Sequence, residues 1–257
     1  MPPPHTPQDP LYTFDFDGVI CDSAIETSIT GWKAATTLWQ DMTSPLPPQV
    51  AIDNFRIVRP QLETGYEAIL IMRLLHLGKS ANKICNNYSF LINHLIRQDS
   101  LQTDQLKTLF GRTRDDWIED NDVEWLSMNP LFSGVAEKLQ ILIDTNNGDS
   151  HPWYIITTKQ ERFVKHILQA NHIKVSGDQL FGMDQHKSKQ ETLLMLQDKY
   201  PNHSIVFVED RLQTLLDIRD NPRLHSIKLQ LVSWGFNTQE EREVAEESGI
   251  EVIDNYR

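Results

Sequence analysis

Cysteine is nearly absent: Cys21 and Cys85 are the only two in 257 residues, and they have no metal-ligand spacing. That excludes a disulfide framework and suits a reducing compartment, with both thiols acting as small hydrophobes. No apolar run reaches the roughly 20 residues that a membrane-spanning helix needs. The opening MPPPHTPQDP lacks the basic residues and apolar stretch of a secretory signal or transit peptide. Residues 1–10 therefore read as a disordered tail on a soluble cytoplasmic chain. Positive charge is also scarce, with 24 Lys and Arg against 36 Asp and Glu and a formal net charge of −12. Such a balance argues against a nucleic-acid phosphate backbone as partner. There is no internal repeat, and no low-complexity tract beyond the tail.

What is present is enough chain to bury a core without staples. Short apolar runs that read as buried strands occur at Leu11–Phe14, Trp153–Ile156, Ile205–Val208, Leu229–Val232 and Ile250–Ile253. Helical patterns separate the later ones, and this alternation predicts a Rossmann-like α/β fold, a parallel sheet flanked by helices. Thr158 with Glu161 and Thr238 with Glu241 fit capping boxes, and Gly249 marks a helix end. From Ser23 to about Asn129 strands vanish. Ile25, Ile29, Trp32 and Trp39 recur at helical spacing, and Thr64 with Glu67 opens a helix that closes at Gly78. Further helical patterns cover Tyr88–Ile96, Leu101–Phe110 and Arg114–Leu126, while the three prolines of 43–48 link two helices. The expected division is a core of 11–23 plus 130–257, and an all-helical insertion, 24–129, after the first strand.

The chemistry gathers at the strand ends. In FDFDGVICDS, Asp15 and Asp17 lie two apart just past an apolar run, so an extended backbone turns both carboxylates the same way before Gly18 turns the chain. Converging carboxylates repel, and a hard divalent cation relieves that through oxygen ligands. Ligands of open parallel sheets sit beyond the carboxyl ends of the strands. There the sequence puts Asp15 and Asp17, Thr157 and Thr158, and Glu209 and Asp210. Thr157 also precedes a helix expected to start at Lys159, whose free amides favour phosphate; helix capping is the plainer role for either threonine.

These residues resemble the haloacid dehalogenase superfamily of phosphohydrolases, and within it the phosphoglycolate phosphatase and β-phosphoglucomutase branch. FDFDGVICDS is similar to the first motif, IITTK to the second and VFVED to the acidic fourth; Lys189 in KSKQETLLML stands where relatives have the third-motif lysine. The resemblance spans Leu11 to Val232 and implies a haloacid dehalogenase-like core with a helical cap. It implies a Mg²⁺-dependent phosphatase of a small phosphorylated metabolite, working through an aspartyl phosphate. Asp15 is then the nucleophile and Asp17 the general acid and base. Asp15, the backbone carbonyl of Asp17 and Asp210 hold Mg²⁺, with Glu209 adding a direct or water-mediated contact. Thr157, Thr158 and Lys189 bind the phosphoryl oxygens.

Departures keep other readings open. Gln190 replaces the usual proline after the lysine, Lys187 could take that lysine's role, and Arg211–Thr214 follow the fourth motif where relatives carry a further Asp or glycines. A phosphosugar mutase would use the same residues, and a pseudoenzyme could keep the fold to bind a partner. Asp22 either ties the hinge to the core or caps the next helix. Arg56 and Arg59, before Pro60, are candidate contacts for an anionic substrate, against the plainer reading of solvated side chains or pairs with Glu63 and Glu67. Tyr66, Ile69, Leu70, Leu74 and Leu77 are expected to form the helical core.

Overall fold

The structure, a computed structural model, describes residues 10–145 and 152–256. The expected tail, Pro10 apart, lies outside them. Six strands, β1 (Leu11–Phe14), β2 (Trp153–Ile156), β3 (Leu180–Phe181), β4 (Ile205–Glu209), β5 (Lys228–Val232) and β6 (Glu251–Ile253), form one sheet in the order β3-β2-β1-β4-β5-β6. Every pairing is parallel. Five of these strands coincide with apolar runs; β1, β2 and β4 are buried along nearly their whole length, and a strand covered on both faces carries no polar alternation. The sixth, β3, is two residues long and left no such signal.

The chain packs as two compact units, Met1–Cys21 with Leu131–Arg257, and Asp22–Pro130. Among the described residues the second unit is helical: α1 (Ala24–Leu38), α2 (Gln49–Val58), α3 (Glu67–His76), α4 (Ala81–Asn86), α5 (Tyr88–Gln98) and α6 (Thr103–Ser127). Gly31 explains how α1 and α3 come together. A Cβ there would lie 2.7 Å from the Ala68 backbone, so only glycine permits this approach, which offsets the roughly 1 kcal/mol that glycine costs inside a helix. Phe55, Ile69, Leu70 and Met72 are fully buried in the resulting core.

Three expectations for this unit need correction. The patterns 101–110 and 114–126 belong to one helix, α6, whose break comes later, at Asn121 (φ −154°, ψ 80°). There the Asn121 side chain accepts from the Glu124 amide at 3.1 Å and restarts the helix as a cap. Thr64 does not cap α3; its amide and that of Glu63 donate to the Glu67 carboxylate (2.9 and 2.7 Å), which is half of a capping box. Leu77, just past the end of α3, is 48% exposed and so lies outside the core. On α1 the buried face also carries a charge that the apolar spacing did not announce. Glu26, fully buried, accepts from Arg114 Nε (2.8 Å) and Nη2 (2.7 Å), Thr30 Oγ1 (2.6 Å) and Trp125 Nε1 (3.2 Å).

Among the described residues of the α/β unit five helices flank the sheet: α7 (Val135–Thr145), α8 (Glu161–Ala170), α9 (Lys189–Lys199), α10 (Leu212–Arg219) and α11 (Gln239–Glu247). Leu193 and Leu196 of α9, Leu215 of α10 and Ala245 of α11 pack with Leu11, Phe207 and Leu231 of the strands. On the opposite face Lys138 of α7 lies 4.5 Å from the ring centre of Tyr12. The expected box at α11 is formed, with Thr238 and Glu241 bonded reciprocally (3.2 and 2.7 Å), and Gly249 follows at φ +76°. The expected box at α8 is not: the helix starts at Glu161 with Gln160 as cap, and the Glu161 amide donates to Asp184 at 2.8 Å.

Candidate active site

The strand order reverses between β1 and β4: after β1 the chain builds outward through β2 and β3, then returns to the other side of β1. Such a switch point opens a crevice at the carboxyl edge. Pairing of Phe14 with Val208, continued by a bond from the Asp15 amide to the Val208 carbonyl (2.9 Å), sets Asp15 beside the end of β4, where Glu209 and Asp210 follow. Carboxylate oxygens of Asp15, Glu209 and Asp210 lie within 4.8 Å of one another, and all three residues are buried.

Lys189, the first residue of α9, answers part of this charge. Its Nζ is 2.7 Å from Glu209 Oε2 and 3.0 Å from Asp15 Oδ1. The capping box of Ser188 and Glu191 fixes the helix start and hence the lysine. Lys187 points elsewhere, 3.8 Å from Met195 Sδ. Glu209 is satisfied on both oxygens, since Oε1 accepts from the amides of Asp210 (3.2 Å) and Arg211 (3.1 Å). Burial works to raise its pKa, but Lys189 and these bonds hold it below the usual carboxylate range. For Lys189 burial works downward, and Asp15 and Glu209 outweigh it and raise the pKa. Asp15 is the under-compensated member: burial, then the charge of Glu209, pushes its carboxyl up to about 7 despite Lys189.

Past β1 the chain turns at Gly18 (φ +90°), where a Cβ would fall 1.9 Å from Asp210 Oδ2, so both the backbone conformation and the space demand glycine. The turn carries Asp17, whose Oδ1 lies 3.0 Å from Lys159 Nζ. Asp210 is also held from the loop after β5: Phe236 donates its amide to Oδ2 and Asn237 Nδ2 donates to the Asp210 carbonyl, both at 2.8 Å. Thr157 follows β2. Its amide donates to Phe181 (2.9 Å) and its hydroxyl oxygen accepts from the Lys159 amide (3.1 Å), which leaves the hydroxyl able to donate.

The cluster thus unites Asp15, Glu209, Asp210 and Lys189, with the Asp17–Lys159 pair on the adjoining turn and Thr157 on the neighbouring strand end. Thr158 is exposed. Arg59 belongs to the helical unit, where it is buried in the 3₁₀ turn 59–61 and donates to Leu62 (3.4 Å). Arg56 pairs with Asp22 at 3.3 Å, not with Glu63 or Glu67, and Asp22 Oδ1 accepts from the Ala24 amide at 3.3 Å. Sequence reasoning misses Lys159, which it takes only as the start of a helix, and the 235–237 loop. Inspecting the loop after every strand of the sheet would find both.

A buried set of hard oxygen donors from Asp15, Glu209 and Asp210, including a carboxyl pushed up to about 7, fits a divalent cation such as Mg²⁺.

No family model and no curated protein matches the sequence. Solved structures do match. A predicted phosphoglycolate phosphatase from Haemophilus somnus is 16% identical, with 96% of this chain and 95% of that one aligned at a TM-score of 0.59. The fold is that of the haloacid dehalogenase-like hydrolases. A haloacid dehalogenase-like family hydrolase from Streptococcus pneumoniae (16% identity, 95% and 93% covered, TM-score 0.53) has it too. So does a predicted phosphatase from Clostridium acetobutylicum (15%, 96% and 94%, 0.55). In this haloacid dehalogenase-like fold the acidic cluster stands at the switch point of the sheet. No helix among the described residues is long and apolar enough to cross a membrane.

Proposed function

We propose that the protein is a Mg²⁺-dependent phosphatase that hydrolyses a small phosphorylated metabolite through an aspartyl phosphate on Asp15. The observation that carries this reading is the meeting of Asp15, Glu209, Asp210 and Lys189 at the switch point of the sheet. Asp15 and Asp210 would hold the ion, with the carbonyl of Asp17. Glu209, satisfied on both oxygens, chiefly anchors Lys189. When bound, the ion supplies positive charge that keeps Asp15 ionised and lets it approach an anionic phosphate.

An Asp15 oxygen forms a bond to phosphorus as the bond to the leaving oxygen breaks, and Asp17 gives its proton to that oxygen. Asp17, now a carboxylate, accepts a proton from water as the water oxygen bonds to phosphorus and the Asp15–phosphorus bond breaks. The products are an alcohol and phosphate, and both residues return to their first state. Lys189 and the Thr157 hydroxyl neutralise and orient the transferring oxygens. Residues 24–129 act as a cap that selects the leaving group and excludes water, the core being 11–23 with 130–257. The thiols Cys21 and Cys85, neither in a disulfide, and the acidic charge suit a cytoplasmic enzyme of small metabolites.

The test is hydrolysis of p-nitrophenyl phosphate with Mg²⁺ or with chelator. We expect turnover that needs the metal and falls at least about 1,000-fold in Asp15→Asn. Equal rates with and without metal, or in both proteins, would refute the reading.

A further inference from the structure

We propose that Lys159 is a positioning residue for Asp17: it grips one carboxyl oxygen so that the other is presented to the leaving group. The inference rests on the phosphatase reading above. Lys159 Nζ lies 3.0 Å from Asp17 Oδ1, and its side chain is 1% exposed. Burying a lysine is costly, and here the buried ammonium lies against Asp17, a carboxylate outside the acidic triad.

Both ends of this contact are braced. On the Asp17 side the turn is closed by bonds from Gly18 N to Cys21 O and from the amides of Ile20 and Cys21 to Phe16 O, each 2.9 Å. Those bonds fix the backbone, and the contact with Lys159 acts on the carboxyl group itself. On the Lys159 side the amide donates to Thr157 Oγ1 (3.1 Å) and the carbonyl accepts from Met183 N (3.1 Å). Gly182 passes so close that a Cβ would lie 2.9 Å from the Lys159 carbonyl oxygen. Glu161 ties the same loop down by accepting from Gly182 N (3.2 Å) and Gln185 Nε2 (2.7 Å). Segment 182–185, which holds no residue assigned to the chemistry, thereby sets the lysine, and the lysine sets the acid.

With Oδ1 held by Lys159, the proton that Asp17 gives up resides on Oδ2, and the plane of the carboxyl is fixed before substrate arrives. Misalignment of this group matters in proportion to how badly the leaving oxygen needs a proton. A p-nitrophenolate departs without one; an alkoxide does not.

The experiment compares kcat and KM of wild type, Lys159→Met and Lys159→Arg on p-nitrophenyl phosphate and on glycerol 2-phosphate, with Mg²⁺ present. For Lys159→Met we expect about a 100-fold loss of kcat on the glycerol ester, at most about 3-fold on the aryl ester, and little change in KM. Lys159→Arg should recover most of the loss. In an Asp17→Asn background Lys159→Met should cost nothing further, which separates a positioning role from general damage to the fold. Equal losses on both esters, a loss that persists in the Asp17→Asn background, or no loss at all would overturn the proposal while leaving the phosphatase reading in place. A wild type inert toward both esters would overturn both.

Discussion

Replacing Asp15, the proposed nucleophile, should make the metal-free protein more stable. In Asp15→Asn a neutral amide takes the place of a buried carboxyl whose pKa rises from 3.8 to about 7, through burial first and the charge of Glu209 second. A folded-state pKa above the unfolded one means that the group's stabilising contribution is whole below about pH 4 and is lost as pH rises through 7. At about 1.4 kcal/mol per pKa unit, the gap of three units amounts to roughly 4 kcal/mol at pH 7.5, an upper limit because the surroundings relax around a charge. For a chain of this size that is a rise in Tm of several degrees, at most about 10 °C. The assay is thermal unfolding in chelator at pH 7.5 and at pH 4.5, where the advantage should shrink to about 1 kcal/mol or less. Mg²⁺ should narrow the gap, because a ligand that binds only the folded state stabilises it, by about 2.7 kcal/mol at a hundred times its Kd and about 4.1 kcal/mol at a thousand times, and Asp15→Asn lacks one of its donors. If Asp15→Asn melts at or below wild type in chelator at pH 7.5, the electrostatic argument for the site is wrong.

Two further outcomes follow from the same geometry. Lys189→Met should lose phosphatase turnover by at least about 100-fold, whereas Lys187→Met should stay within about 2-fold of wild type, checked by kcat on p-nitrophenyl phosphate; equal effects would break the assignment of the lysine. In the helical unit Arg114→Met should destabilise by about 3–5 kcal/mol, since it strands the buried Glu26, and Glu26→Gln added to it should recover part of the loss, both read from urea unfolding.

How much of this was written in the sequence depends on the kind of signal. The central strands announced themselves as unbroken apolar runs because both of their faces are buried, and the tips of β1 and β4 were legible because clustered acids rarely follow such runs without a reason. β3 was not, being two residues long. Lys159 was hidden by a competing local pattern: Thr158 and Glu161 imitate a capping box, but Asp184 and Gln185 claim the amide and carboxylate of Glu161 from a distance in sequence. Glu26 was obscured in a similar way. Its neighbours Ile29 and Trp32 give the expected stripe, and only a tertiary partner, Arg114, allows an acid to share it. The Asp210 clamp from Phe236 and Asn237 depends on a loop that is brought close by the sheet and by nothing local.

The position of β1 in the sheet has a consequence for how the chain is made. Tyr12 pairs with Trp153 on one side and with Val206 on the other, so the first strand of this sheet in chain order is an inner one, and its neighbours are synthesised only after the whole helical insertion. Until the second of them emerges, an apolar segment carrying Asp15 has no finished edge to join, and closure of the sheet must wait for contacts between distant parts of the chain, the slow kind. The helices of 24–129, whose contacts are local, can meanwhile condense on their own schedule. The carboxylate cluster would then be among the last features of the fold to assemble, because Glu209 and Asp210 join Asp15 only when β4 pairs with β1.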